Sequence, residues 1–543
     1  MAGPNLRQRI GHGFVSRQVL AENAAIAAAQ HAGGAEGFAP LDVGGQQGEA
    51  FFDFMFGELR DKPLKASDGD LAALARAMKE PPGATDADFD NTDIPAGFTY
   101  LGQFVDHDIT LDLTPLSVAM EDPEMVKNFR TPGLDLDCVY GAGPGPHRFL
   151  FARAPNEAGQ VVDTPKLLIG TAQASSENDD RPGQVPDLPN DLPRNAQGVA
   201  LIGDHRNDEN LVVAQIHLAF LKFHNAVVDH LAGSVDKSQL FAEAAKTVRW
   251  HYQWMVLHDW VERLTETGIV AKILHEGRRF YRFQTKPFMP WEFSGAAYRL
   301  GHSMVRQTYS HNRIFRTREP RLFNADLSTL FGFTNLSGNI GTAFPTLPSN
   351  WAIDWRRFFD LPPPADQSQF EFNHSRKLDA GLIEALHNLP GSEPGTATAS
   401  LAFRNLKRGV QIGLPSGQDV AALMRQKIAF DPISPAEIAQ GPDGAVAKDL
   451  GFDKNTPLWY YILKEASARG GGKRLGPVGT RIIAEVFIGI VQGDEGSYLS
   501  QPGWTPHLPA AVPGTFFMTD LLKFVAAAED SANPLKGLNP VGD

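Results

Sequence analysis

The chain has 543 residues, 42% of them hydrophobic and 21% charged, the composition of an ordinary globular protein with material for a deep core. Its 63 acidic against 50 basic residues give a net charge of -13 with no cluster of lysines or arginines, which argues against nucleic-acid binding. A single cysteine, Cys138, excludes an intrachain disulfide, so packing, a cofactor or a metal must hold the fold.

Along the chain, Met1 to Gly37 has scattered arginines and an alanine-rich stretch, without the apolar core and cleavage site of a signal peptide. Residues 1–40 are read as a flexible N-terminal extension. Apolar residues recur at three and four from Leu211 to Leu231, and again from Phe241 to Leu264, which predicts two long buried helices. Further helices are expected at Gly295 to Arg306, Gly417 to Met424, Thr480 to Gln492 and Thr519 to Ala528. Proline- and glycine-rich loops fall at Ser175 to Gly198, Pro345 to Pro348, Leu389 to Ala399 and Gly470 to Gly472. Alternating strand patterns are rare and there is no internal repeat. The expectation is a mainly α protein, one large helical domain over residues 41–543 with few short strands. Apolar stretches such as Ile482 to Val491 are too short to span a bilayer, so a soluble protein without a transmembrane segment is expected, cytoplasmic or exported.

The most informative run is Gly102-Gln103-Phe104-Val105-Asp106-His107-Asp108-Ile109-Thr110, an imidazole between two carboxylates with an amide three positions before the first. In an apolar stretch such a cluster costs desolvation energy unless its members bind a proton, a metal or a cofactor. A second run, Gly203-Asp204-His205-Arg206-Asn207-Asp208-Glu209-Asn210, precedes the helix from Leu211, and its last three residues read equally well as caps. A third, Phe293 to Ser303, is a small-residue face leading to His302, which also reads as a core histidine. A fourth, Arg404-Asn405-Leu406-Lys407-Arg408-Gly409 followed by Gly413-Leu414-Pro415, alone marks only a helix ending in a turn.

Taken in this order, from about Phe98 to Ser497, the four runs resemble the peroxidase-cyclooxygenase superfamily, the animal-type haem peroxidases of the myeloperoxidase and lactoperoxidase type, and especially their bacterial relatives. Lys222-Phe223-His224-Asn225, Gly476-Pro477-Val478-Gly479 and Gly493-Asp494 fit the same pattern. The resemblance implies haem b as cofactor and hydrogen peroxide as substrate. It makes His107 the distal base, Arg206 a cation for the charge that develops as the O–O bond breaks, and Gln103 a lining residue of the same pocket. It makes His302 the ligand of the haem iron, Asn405 the acceptor from its other ring nitrogen, and Arg299 and Arg408 partners of the haem propionates. Asp106 and Glu209 stand where mammalian members form ester bonds to haem methyl groups, so covalently held haem is expected, with purely hydrogen-bonding carboxylates as the alternative. Asn210 stands where the family's most oxidising member has a methionine linked to haem. Without sulfur that bond cannot form, which counts against efficient chloride oxidation.

Thr131-Pro132-Gly133-Leu134-Asp135-Leu136-Asp137 alternates oxygen-bearing residues with a turn glycine, a pattern suited to calcium or to an acidic surface turn. The resemblance supplies a ligand set: Thr131, the Gly133 carbonyl, Asp135, Asp137, and Asp108 from beside the distal histidine. The mammalian loop has serine where this chain has Asp137. His217, His224, His251 and His258, on long helices among aromatic residues, read as core hydrogen-bond partners, and the tryptophans read as packing.

The leading expectation is a peroxidase oxidising halide, thiocyanate or phenolic donors, small anionic or aromatic molecules. A cyclooxygenase-like fatty-acid dioxygenase is disfavoured because its radical tyrosine would fall at Arg299, one residue from Tyr298. A silent haem-binding or adhesive protein has no need of Gln103, His107, Arg206, His302 and Asn405 together.

Overall fold

The helix expected over Leu211–Leu231 forms with those ends in the computed structural model, which describes residues 7–10, 13–16, 50–111, 127–128, 130–176, 184–316, 326–327, 330, 346–389 and 392–543. Asn210 caps it, its side chain accepting from the Val213 N–H at 3.0 Å. Among the described residues it alone is long and apolar enough to cross a membrane, which the sequence reading overlooked. However, 89% of its most apolar window is buried inside the protein, as in a core helix. Of the 1–40 extension, only the paired strands Arg7–Ile10 and Gly13–Ser16 lie within the described residues.

The Phe241 to Leu264 pattern becomes the helix Leu240–Met255, which widens into a π-helical stretch, Val256–Val261, before ending at Glu262–Leu264. Gly417–Met424 appears as expected, Met518–Glu529 is one residue longer at each end, and Pro477–Gln492 starts three residues early. Pro477 fits that first turn, where its missing N–H costs nothing. Gly295 to Arg306 is not an α-helix: Trp291–Ser294 is followed by a tighter 3-10 segment, Ala297–His302. Glycines at 295 and 301 weaken an α-helical run there. Several helices escaped the periodicity altogether or in part, the longest being Gly97–Ile109, Leu401–Gln411 and Leu458–Gly470.

Strands are short and form small sheets. Ala50–Asp53 lies between Met289–Pro290 (parallel) and Lys127–Asn128 (antiparallel), Asp90–Pro95 pairs with His374–Arg376, and Phe151–Pro155 forms a hairpin with Val161–Leu167. The Ser175 to Gly198 stretch, expected as loop, contains Gln184–Val185 and Leu188–Asp191.

The helix Gly97–Ile109 is gripped from several sides. Phe104 stacks on Phe220 of Leu211–Leu231 with centroids 4.6 Å apart. Burying a phenylalanine of this kind contributes roughly 1.5–3 kcal/mol. Trp260 donates Nε1 to the Phe98 carbonyl at 3.0 Å and lies over Gly102, where a Cβ would fall 2.9 Å from the ring. Tyr298 donates its hydroxyl to the Gly102 carbonyl at 2.9 Å. Runs far apart in sequence thus meet around the helix that carries His107.

Candidate active site

His107 is fully buried, and its Nδ1 donates to Oδ1 of Asn207 at 2.8 Å. That bond places the ring proton on Nδ1 and leaves the Nε2 lone pair facing no protein partner. Burial, reinforced by the Arg206 charge, pushes the imidazole pKa down to about 3, so the ring is neutral and able to accept a proton. The Asn207 amide passes the constraint on, donating Nδ2 to Nδ1 of His217 at 2.9 Å. Asn207 stood in the second sequence run, yet only folding reveals what it touches.

Arg206, also buried, is anchored by Asp204 through Nε at 3.1 Å and Nη2 at 2.8 Å. The same Nη2 donates to the carbonyls of His107 at 3.0 Å and Thr110 at 2.6 Å. The arginine therefore caps the C-terminal end of the Gly97–Ile109 helix and holds a permanent charge beside His107.

Gln103, one turn earlier, donates Nε2 to Glu209 at 3.2 Å and accepts from Asn210 Nδ2 at 3.0 Å, which ties the first sequence run to the second. Burial raises the Glu209 carboxyl to about 7 against the opposing pull of Arg206. It also raises Asp106, whose carboxylate accepts from the Thr110 hydroxyl at 2.9 Å.

His302 ends the 3-10 segment, and Asn405, on Leu401–Gln411, lies 2.7 Å from its Nδ1, joining the third run to the fourth. The contact atom is the amide nitrogen, the reverse of the expected acceptor role. The reason is Arg299, which can only donate and takes the Asn405 Oδ1 at 3.1 Å, while its Nε bonds the Ser294 carbonyl at 3.0 Å. Ligation of a metal through Nε2 calls for the proton on Nδ1 and hence for the amide turned over. Burial, with Arg299 nearby, lowers the His302 pKa to about 3, leaving the neutral form that a metal ligand needs. Arg408 stands one turn beyond Asn405 on the same helix.

Asp108, Asp135 and Asp137 come together with ligand oxygens within 4.8 Å of one another. Asp108 Oδ2 accepts from the Leu136 N–H and the Tyr252 hydroxyl, both at 3.2 Å, and its Oδ1 is buried without a partner. Burial and then mutual repulsion raise Asp108 to about 7 and push Asp135 well up. Three carboxylates in this state suit a hard cation. Thr131 and Gly133 lie in the same loop, where the Gly133 N–H bonds the Thr131 carbonyl at 2.8 Å. Arg130, which sequence reasoning passed over, donates to Asp137 at 2.7 Å and to Asp204 at 2.6 Å, linking this cluster to the anchor of Arg206. Gly203 allows that junction: a Cβ there would meet the carbonyls of Asp137 and Cys138 at 2.5 Å.

Three of the histidines expected as core partners are hydrogen-bonded in the folded chain. His224 donates Nε2 to the Pro165 carbonyl at 2.8 Å, His251 donates Nδ1 to Thr247 at 2.7 Å, and His258 Nε2 meets the Tyr498 hydroxyl at 3.1 Å.

A family model described as animal haem peroxidase matches residues 119–332. Peroxidasin of Drosophila melanogaster is 23% identical over 338 residues, 58% of this chain and 20% of the relative. Chorion peroxidase of the same organism is 25% identical over 313 residues, covering 56% and 35% respectively. The segment matched by the family model, under half of the chain, is thus similar to animal haem peroxidases. The chain spans a fifth to about a third of these two relatives' length. Peroxidase A from Dictyostelium discoideum shares the fold, with a TM-score of 0.54 at 14% identity over 91% of this chain and 94% of that one. So does the fatty acid alpha-dioxygenase of Oryza sativa, with a TM-score of 0.53 at 16% identity over 88% and 80%. The family match contains Arg206, Glu209, His302 and the Asp135–Asp137 loop, whereas folding brings His107 and Asn405 to them from outside it.

Proposed function

We propose that the chain is a haem-dependent peroxidase that reduces hydrogen peroxide to water while oxidising halide, thiocyanate or phenolic donors. The observation that carries the reading is His107, a buried neutral base whose Nδ1 is committed to Asn207 and whose Nε2 has no protein partner. An orphaned ring nitrogen of this kind beside a fixed guanidinium, together with a second buried neutral imidazole at His302, fits a haem site. His302 would hold the iron, Arg299 and Arg408 the propionates. Bound haem would supply the redox-active iron that provides the two electrons needed to reduce peroxide to water.

The chain's own groups handle protons and charge. His107 Nε2 takes the proton from the near peroxide oxygen and returns it to the far one, so that water leaves. Arg206, held by Asp204, stabilises the negative charge that grows on the departing oxygen. Gln103, braced by Glu209 and Asn210, lines the approach. Peroxide-dependent change in the visible spectrum of the haem-loaded protein, reversed by a donor, tests the reading. The dioxygenase alternative loses ground because Tyr298 is buried, stacked on Phe293 at 4.7 Å, and has its hydroxyl committed to Gly102.

The position of Asp106 and Glu209 supports ester attachment: both carboxyls are buried, and burial raises the pKa of each. After peroxide treatment, acidic acetone should leave haem on the wild type and strip it completely from the Asp106→Asn, Glu209→Gln double variant. Complete stripping from the wild type contradicts the esters.

The cluster of Asp108, Asp135 and Asp137 supports a structural calcium that fixes the backbone presenting His107. Binding at about one hundred times Kd adds about 2.7 kcal/mol to stability. Exhaustive chelation should therefore lower the melting temperature and slow the peroxide reaction, and Asp108→Asn should abolish the effect of added calcium. Melting and rates that ignore chelation contradict this site.

A further inference from the structure

A groove of about 300 Å³ lies between the helix Ile269–Glu276, the turn after it, the segment around Lys427 and the start of Pro477–Gln492, and none of the residues assigned to the candidate active site lines it. Four cations line it, Lys272, Arg279, Lys427 and Arg481, against two carboxylates, Glu266 and Glu276. A local excess of positive charge is unusual on a chain whose net charge is -13. Lys272 and Lys427 form no ion pair among the described residues; Lys427 instead lies 5.4 Å over the Phe280 ring. Arg279 reaches Glu276 only at 3.8 Å.

Arg481 is the telling residue. Its side chain is 7% exposed, yet its one charged partner, Glu485 Oε1, is 3.6 Å away, too far for a hydrogen bond. The other oxygen of Glu485 is spent on the backbone N–H groups of Arg279, Phe280 and Tyr281 at 2.7–3.0 Å. A guanidinium has five N–H donors, and with no protein acceptor in bonding range among the described residues this one presents them to the groove. The helix end beside it is not the attraction, because Glu465 already accepts from the Val478 and Gly479 N–H groups at 2.9 and 3.4 Å.

We infer that this groove is a binding site for a small multivalent oxyanion, a phosphate ester or a polycarboxylate, seated on the Arg481 fork and closed over by Lys272, Arg279 and Lys427. The guanidinium fork takes two oxygens of one anionic group, and the flexible lysines supply point charges at the rim.

Calorimetric titration of the full chain with inorganic pyrophosphate, and separately with citrate, tests the site. The expected result is saturable binding of at least one anion, weakened about tenfold by each of Lys272→Gln and Lys427→Gln and further by Arg481→Gln. Both lysines are exposed, so their variants fold even if loss of the buried arginine does not allow it. Preference for pyrophosphate assigns phosphate esters and preference for citrate assigns polycarboxylates. Absence of saturable binding by either anion, or unchanged affinity in both lysine variants, overturns the proposal.

Discussion

His107→Ala and Arg206→Ala will each slow the reaction of the haem-loaded protein with hydrogen peroxide by roughly a hundred- to ten-thousand-fold while haem remains bound. Peroxide must lose a proton from one oxygen and gain it on the other, and His107 Nε2 is a buried nitrogen with its lone pair free for both transfers. Arg206 acts by charge, and its position depends on Asp204 and on the carbonyls of His107 and Thr110. Neither residue is the proposed iron ligand, so the Soret band should persist in both variants. Stopped-flow mixing with peroxide reads the rate. Wild-type rates in both variants would sink the distal assignment.

His302→Ala will have the larger effect on the cofactor itself. The neutral imidazole is already prepared for a metal by burial, and Asn405 at 2.7 Å holds its orientation. Without the ring, haem should be lost, or should be retained with an altered Soret position and no peroxide chemistry. Comparison with Asn405→Ala separates ligation from positioning: that variant should keep haem with the ring less firmly oriented. A His302→Ala protein with an unchanged ferric spectrum and full turnover contradicts the ligand assignment. The Arg299–Asn405 bond gives this region a second consequence. To hold iron through Nε2, the Asn405 amide would present its oxygen to His302 and turn its NH2 group toward Arg299, which now bonds that oxygen.

The landmarks were legible because each is a short run of polar side chains in an apolar setting. The Leu211–Leu231 helix was legible because its periodicity and its Asn210 cap are both local. Gly97–Ile109 was not, since eleven of its residues are buried and no polar face alternates with the apolar one. The 3-10 segment before His302 was misread as α-helix because hydrophobic spacing does not separate the two when glycines flank the run. The carboxylate cluster was anticipated as a loop with one outside ligand, and the structure brings Asp108 to Asp135 and Asp137.

The partners that set the electrostatics were beyond sequence. Asn207 fixes the His107 tautomer, Asp204 anchors Arg206, and Arg130 bridges Asp204 to Asp137. Asn207 and Arg130 act across tertiary contacts that leave no spacing signature, whereas Asp204 acts locally, two residues before Arg206. Arg130 further couples the two clusters, so that a cation bound by the aspartates would bear directly on the residue that positions Arg206.

The most direct measurement is the visible spectrum of the purified, haem-loaded protein before and after one equivalent of hydrogen peroxide, followed by bromide, iodide or guaiacol. A ferric Soret band that shifts with peroxide and returns when a donor is added is the predicted result. A Soret band that ignores peroxide, or a protein that takes up no haem, contradicts the account.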